Sequence, residues 1–144
     1  MEQLLDFLGF LSAAVLLGAM LFFSGLVAPI VFMKLDPKPA GTFIRSIFPH
    51  YYSIIIILSL LSTGLLARSS YKSSIMMGLV FLLGLISRQI LMPRLNRYRD
   101  AEIAGDESAK ITFNRLHKLS VWINASQVTL LITALIISVM TSFE

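Results

Sequence analysis

Residues 73–92 read SSIMMGLVFLLGLISRQILM, twenty positions in which Arg88 is the one formal charge. The hydrocarbon core of a bilayer is about 30 Å thick, so a crossing helix needs about 20 mostly apolar residues. This stretch meets that length. Three others do too, at about 4–33, 49–67 and 117–141, each built of Leu, Ile, Val, Phe, Met, Ala and Gly with at most one charge inside. Transmembrane strands would be about 10 residues long with strict alternation, and no such segment occurs. The pattern predicts an all-α polytopic membrane protein: a four-transmembrane-helix bundle forming a single domain over 1–144, with loops at 34–48 and 93–116.

Composition points the same way. Of 144 residues, 56% are hydrophobic and 14% charged, against about 45–50% and 25% in a soluble domain. Mean hydropathy is +0.81. A soluble core of this size cannot hide so much apolar surface, which excludes a soluble enzyme, a nucleic-acid-binding module and a disordered chain. The net charge of +4 sits in the gaps between apolar runs and forms no stripe for nucleic acid. Without Cys there is no disulfide framework, thiol nucleophile or thiolate metal site. The first apolar run follows an acidic start (Glu2, Asp6) and is too long for a signal peptide, so it is expected to be a retained helix.

Orientation follows from the basic residues. The two long loops hold Lys34, Lys38, Arg45, Arg94, Arg97, Arg99, Lys110, Arg115 and Lys118, and the other side holds Arg68 and Lys72. Nine against two, with Arg88 inside a span, places the long loops in the cytoplasm and both termini outside. The expected location is an integral, multi-pass membrane protein, in the plasma (inner) membrane of a bacterial cell. Asp36-Pro37 reads as a helix start. Phe43/Ile47 and Ile44/Phe48 then mark an amphipathic interfacial helix that runs into span two with a kink at Pro49. Within 93–116, Gly105 is the expected break, and Asp106 or Ser108 the cap of the helix that becomes span four.

Polar groups inside spans are informative because lipid offers them no partner. His117, Ser120, Asn124 and Gln127 fall at spacings of 3, 4 and 3, within about 80° on a helix. The stripe is either helix-to-helix hydrogen bonding or the lining of a binding site. Arg45, His50 and Tyr51 enter span two on the same side, and Arg88 and Arg94 bracket the end of span three. Together with Arg115 they make a candidate binding cluster rich in positive charge, suited to an anionic lipid or solute. Ala14, Gly18 and Gly25, with Pro29 as a kink, give span one a face for close packing or self-association into a homo-oligomer. Two His (His50, His117) and the Met residues are a thin supply for haem or copper, so no cofactor and no metal site are predicted. No nucleophile–base pair, paired carboxylate or phosphate loop is present, which leans against an enzyme.

Four segments, GAMLFFSGLVAPIVF (Gly18 to Phe32), FIRSIFPHYY (Phe43 to Tyr52), PRLNRYRD (Pro93 to Asp100) and FNRLHKLSVWIN (Phe113 to Asn124), resemble in this order the transmembrane protein 205-like family. The resemblance implies a four-span bundle, with Pro29, Phe48, Pro49, Tyr51, Arg115, His117, Ser120 and Asn124 at the motif positions. It implies no established reaction, only a loose association with tolerance of metal-containing drugs. The expected function is therefore transport or binding of a small solute or ion, an anionic or metal-containing compound included. The alternatives are a haem- or metal-dependent membrane oxidoreductase and a non-catalytic homo-oligomeric scaffold.

Overall fold

Apolar runs of helical length become four long helices: α1 (Glu2–Lys34), α2 (Pro37–Leu65), α3 (Tyr71–Ile103) and α4 (Glu107–Ser142). The computed structural model describes residues 1–142, and among them there is no strand. All four helices are long and apolar enough to cross a membrane. Each packs on its sequence neighbours, and α4 closes the ring against α1, leaving α1 and α3 diagonal. The chain is thus an up-and-down bundle. One end, here the basic end, carries the α1–α2 and α3–α4 turns. The opposite end carries both termini and the α2–α3 connection.

The helices run further than the apolar runs alone indicate. The segment 34–48, expected as a loop with its own short helix, contains only Leu35 and Asp36 outside helix. From Pro37 onward α2 is continuous, with Pro49 inside it. Asp36 precedes Pro37 as expected, but its side chain makes no capping bond. Pro93 does not end the third span either, because α3 continues to Ile103. At about 1.5 Å per residue, the 33 residues of α3 span about 50 Å, more than the hydrocarbon core, so its basic end projects beyond it. The turn into α4 is a Schellman motif. Asp106 N–H bonds Ala101 O at 3.1 Å, Gly105 N–H bonds Glu102 O at 3.0 Å, and Gly105 takes φ +98°. Asp106 then caps α4, its carboxylate accepting from the Ser108 hydroxyl (2.7 Å) and the N–H groups of Ser108 (2.9 Å) and Ala109 (3.1 Å). These bonds, the Ser108 hydroxyl first, hold its pKa below the ordinary carboxylate value.

Two prolines are accommodated by wide turns. At Phe23–Val27 and at Ser87–Leu91 the backbone bonds reach five residues, Ala28 N–H to Phe23 O and Met92 N–H to Ser87 O. Pro29 and Pro93 follow at the same offset. A helical proline offers no N–H and crowds the carbonyl four residues back. One extra residue in the turn relieves both faults without ending the helix.

The core is formed by Ala13, Leu16 and Met20 of α1, Tyr51, Tyr52 and Ile55 of α2, Met77 and Val80 of α3, and Leu131 and Ala134 of α4. In lipid the helices gain little from excluding water, so packing and interhelical hydrogen bonds hold them together. Serines supply the bonds: Ser62 Oγ to Gly9 O (3.0 Å), Ser74 Oγ to Thr63 O (2.7 Å) and Ser73 Oγ to Ala134 O (2.8 Å). The close approaches fall at Gly9 and Gly84. A Cβ at Gly9 would lie 2.9 Å from Leu65 Cβ, and one at Gly84 3.0 Å from Ile55 Cγ2. Gly18 and Gly25, expected as packing positions, have nothing within 4 Å and face outward. Gly9→Val should therefore lower the thermal stability of the purified protein by about 1–3 kcal/mol, the usual range for overpacking. Gly18→Val should leave the melting temperature in mild detergent unchanged.

Candidate functional site

The wide turn of α1 puts Ser24 at the boundary with α4. Asn124 Nδ2 donates to Ser24 Oγ at 2.9 Å, and the Tyr51 hydroxyl donates to Asn124 Oδ1 at 2.7 Å. One carboxamide on α4 is thereby tied to α1 and α2 at once. Aromatic rings wall the group. Phe23 lies 4.5 Å from Tyr51 and 5.8 Å from Phe48, and Tyr52 lies 5.5 Å from Tyr51, all centroid to centroid. Tyr51 is buried, Asn124 half-buried and Ser24 exposed. The constellation therefore opens sideways at the α1–α4 boundary. It holds no charge.

Deeper on α4, Gln127 is buried and donates from Nε2 to Val80 O at 3.1 Å. Its Oε1 has no partner among the described residues, and neither has the buried hydroxyl of Ser87 on α3, which lies beside Tyr52 without a hydrogen bond of good geometry. The stripe expected on span four thus splits. Asn124 and Gln127 turn inward. The Ser120 hydroxyl folds back onto its own helix at His117 O (2.7 Å). His117 is exposed and stacks on Phe113 at 6.0 Å, and the Arg99 guanidinium lies 5.2 Å from the Phe113 ring centre.

Among the described residues the positive side chains share no common ion-pair partner. Arg45 pairs with Asp100 at 2.7 Å, joining the projecting parts of α2 and α3. With the side chains 42% and 60% exposed, such a pair adds at most about 1 kcal/mol. His50, Arg94 and Arg115 are exposed and make no ion pair or side-chain hydrogen bond among the described residues. Arg88 lies in the wide turn of α3, beside a recess on another face of α2. Arg99 is matched by Glu102 at 2.7 Å. The charge excess read from the sequence is lowered by these two acidic residues. Among the described residues no three His, Asp or Glu side chains form a metal-sized group. Sequence reasoning missed Ser24, Phe23 and Asp100 as partners. The offset of Ser24 from Pro29 was the available signal for the first.

These features define an integral, multi-pass membrane protein of four helices with a neutral polar constellation between α1, α2 and α4. Residues 11–103 match the family described as a domain of unknown function (DUF4149), and the chain belongs to that family. The match runs from α1 through α3 and leaves α4 outside. The chain is also similar to an uncharacterized protein of Aquifex aeolicus (strain VF5), 37% identical over 81 residues, which are 56% of this chain and 61% of the relative. The chain thus spans about 61% of the length of the curated relative it matches. No solved structure matches.

The Tyr51–Asn124–Ser24 connection gives a measurable coupling. Asn124→Leu and Tyr51→Phe should each lower stability by about 0.6–2 kcal/mol, the range for a membrane hydrogen bond. The double variant should cost less than the sum, since the two lose the same bond. Thermal unfolding of the single and double variants in mild detergent checks this, and strictly additive losses would rule the coupling out.

Proposed function

We propose that this protein binds the polar part of a small uncharged solute or amphiphile from within the bilayer, and that binding is its part in moving or sequestering that compound. The observation that carries this reading is the accessibility of a bonded polar group at membrane depth. Asn124 has partners on both sides, yet it stays half-exposed and its partner Ser24 is exposed. A contact made only for helix adhesion is favoured when it is sealed from lipid. An accessible carboxamide and hydroxyl beside an aromatic wall can exchange a bond with each other for bonds to a ligand's hydroxyl or carbonyl groups. The absence of a charged side chain among Ser24, Tyr51 and Asn124 favours a neutral ligand over an ion.

The topology belongs to the same reading. Nine Lys and Arg at the basic end against two at the other favour a cytoplasmic basic end and external termini, in the plasma membrane of a bacterial cell. Kinship with the transmembrane protein 205-like family, with handling of metal-containing compounds, rests on the four quoted segments. The lack of Cys leaves such compounds no thiolate here. Self-association would use the outward face of α1 at Gly18 and Gly25, where nothing in the chain packs.

A neutral amphiphile with free hydroxyls, monoolein, is the probe. Titrated into the wild-type protein in mild detergent, it should raise the melting temperature in a saturable way, as any ligand of the folded state does. Ser24→Ala and Asn124→Leu should abolish the rise while the proteins remain folded. An equal rise in the variants and the wild type would refute the site. Topology is checked separately in a chain that has no Cys of its own. A single Cys at exposed Ala104 should resist a membrane-impermeant thiol reagent in intact cells, and one at exposed Ser69 should react. The reverse pattern would invert the orientation.

A further inference from the structure

The wide turn of α3 carries a charge that the Ser24–Asn124–Tyr51 site does not use. Arg88 lies within Ser87–Leu91, six residues before Arg94 and so about 9 Å further along the helix towards the membrane interior. Its side chain makes no ion pair or hydrogen bond among the described residues, whereas Arg45 and Arg99 at the same end are held at 2.7 Å by Asp100 and Glu102. Beside it is a recess of about 290 Å³, bounded by Pro49 of α2 and by Arg88, Gln89, Met92, Pro93 and Asn96 of α3. The carboxamides of Gln89 and Asn96 make no side-chain hydrogen bond among the described residues either. One hollow is therefore lined by a guanidinium and two amides without partners, against proline rings and a thioether, and by no carboxylate. A lone Arg at this depth is costly unless it reaches an anion or the headgroup layer.

We propose that this recess binds a phosphate group, that of an anionic phospholipid in the leaflet at the basic end. The planar Arg88 guanidinium bonds two phosphate oxygens as a fork, a geometry that Arg offers and Lys does not. The amide groups of Gln89 and Asn96 donate to the remaining headgroup oxygens. Ile86 and Ile90, exposed on α3, offer apolar surface to the acyl chains. The wide turn gives the site its form, since Arg88 and Gln89 occupy the turn that accommodates Pro93. This site is charged, lies against α2 and α3 and shares no residue with the neutral site, so either can fail without the other.

The test uses the full-length protein in an uncharged detergent, with melting temperature read against added phosphatidylglycerol, phosphatidylcholine or inorganic phosphate. Phosphatidylglycerol should stabilise saturably and more strongly than phosphatidylcholine, and added salt should weaken the effect. Arg88→Gln should weaken the apparent affinity for phosphatidylglycerol by about tenfold, a change of about 1.4 kcal/mol. Asn96→Leu should weaken it by a smaller factor, and Lys38→Ala, outside the recess, should leave it unaltered. Stabilisation by inorganic phosphate alone, lost in Arg88→Gln, supports the phosphate site and assigns it to a soluble anion. An equal response of wild type and Arg88→Gln, or equal losses in Arg88→Gln and Lys38→Ala, overturns the proposal. Should Arg88→Gln fail to fold, Asn96→Leu decides: an unchanged affinity there also overturns it.

Discussion

A backbone amide in hydrocarbon has no water to turn to, so each N–H and C=O must find its partner inside the protein. That requirement shapes this chain most where proline breaks it. Pro29 and Pro93 each sit in a helix that must stay unbroken across the membrane, and each is preceded by a turn widened by one residue. The widening preserves the helix and also re-aims the side chains within it. Ser24 reaches Asn124 from one such turn, and Arg88 stands beside a polar recess at the other. Both candidate sites follow from the same backbone repair. Pro49 is handled differently, held inside an uninterrupted α2 one turn after Arg45, which is tied to α3 through Asp100.

The two halves of the bundle are held together by different means. Towards the opposite end, small residues let the helices approach closely, and serine hydroxyls bond to the neighbouring backbone at Gly9, Thr63 and Ala134. A hydroxyl that donates to a carbonyl across an interface satisfies its own need and ties two helices at once. Towards the basic end the interior fills with rings: Phe23, Phe48, Tyr51 and Tyr52. The polar constellation of Ser24, Tyr51 and Asn124 sits beside these rings. The unpartnered Ser87 hydroxyl and Gln127 oxygen lie in the zone between the two regimes.

The electrostatic character of the molecule is local. Arg45 and Arg99 are matched by Asp100 and Glu102, which lie in the last turn of α3. Arg88 makes no ion pair among the described residues, and no carboxylate lines the recess beside it. An unmatched charge inside a span therefore says more about a ligand than the larger number of basic residues outside, whose main reading is orientation.

The sequence by itself determined the class of protein and the number of its helices, because a bilayer sets one length and demands apolar side chains along it. Residues 73–92 carry that reading unaided, and Gly105 with Asp106 gave the α3–α4 turn from local backbone chemistry alone. Asn124 was visible as a polar residue at helical spacing from His117 and Gln127. Only the tertiary structure decided that Asn124 bonds Tyr51 and Ser24, while Ser120 serves its own helix and His117 lies exposed. A stripe fixes which residues share a face of one helix, but not what that face meets. Arg45 bonds Asp100, and His50, Arg94 and Arg115 share no hydrogen-bonded partner with it among the described residues: height along a bundle is set by sequence position, whereas azimuth is set by how neighbouring helices pack. Gly18 and Gly25 looked no different in sequence from Gly9 and Gly84, and only the facing side chains, Leu65 and Ile55, tell a close approach from an open surface.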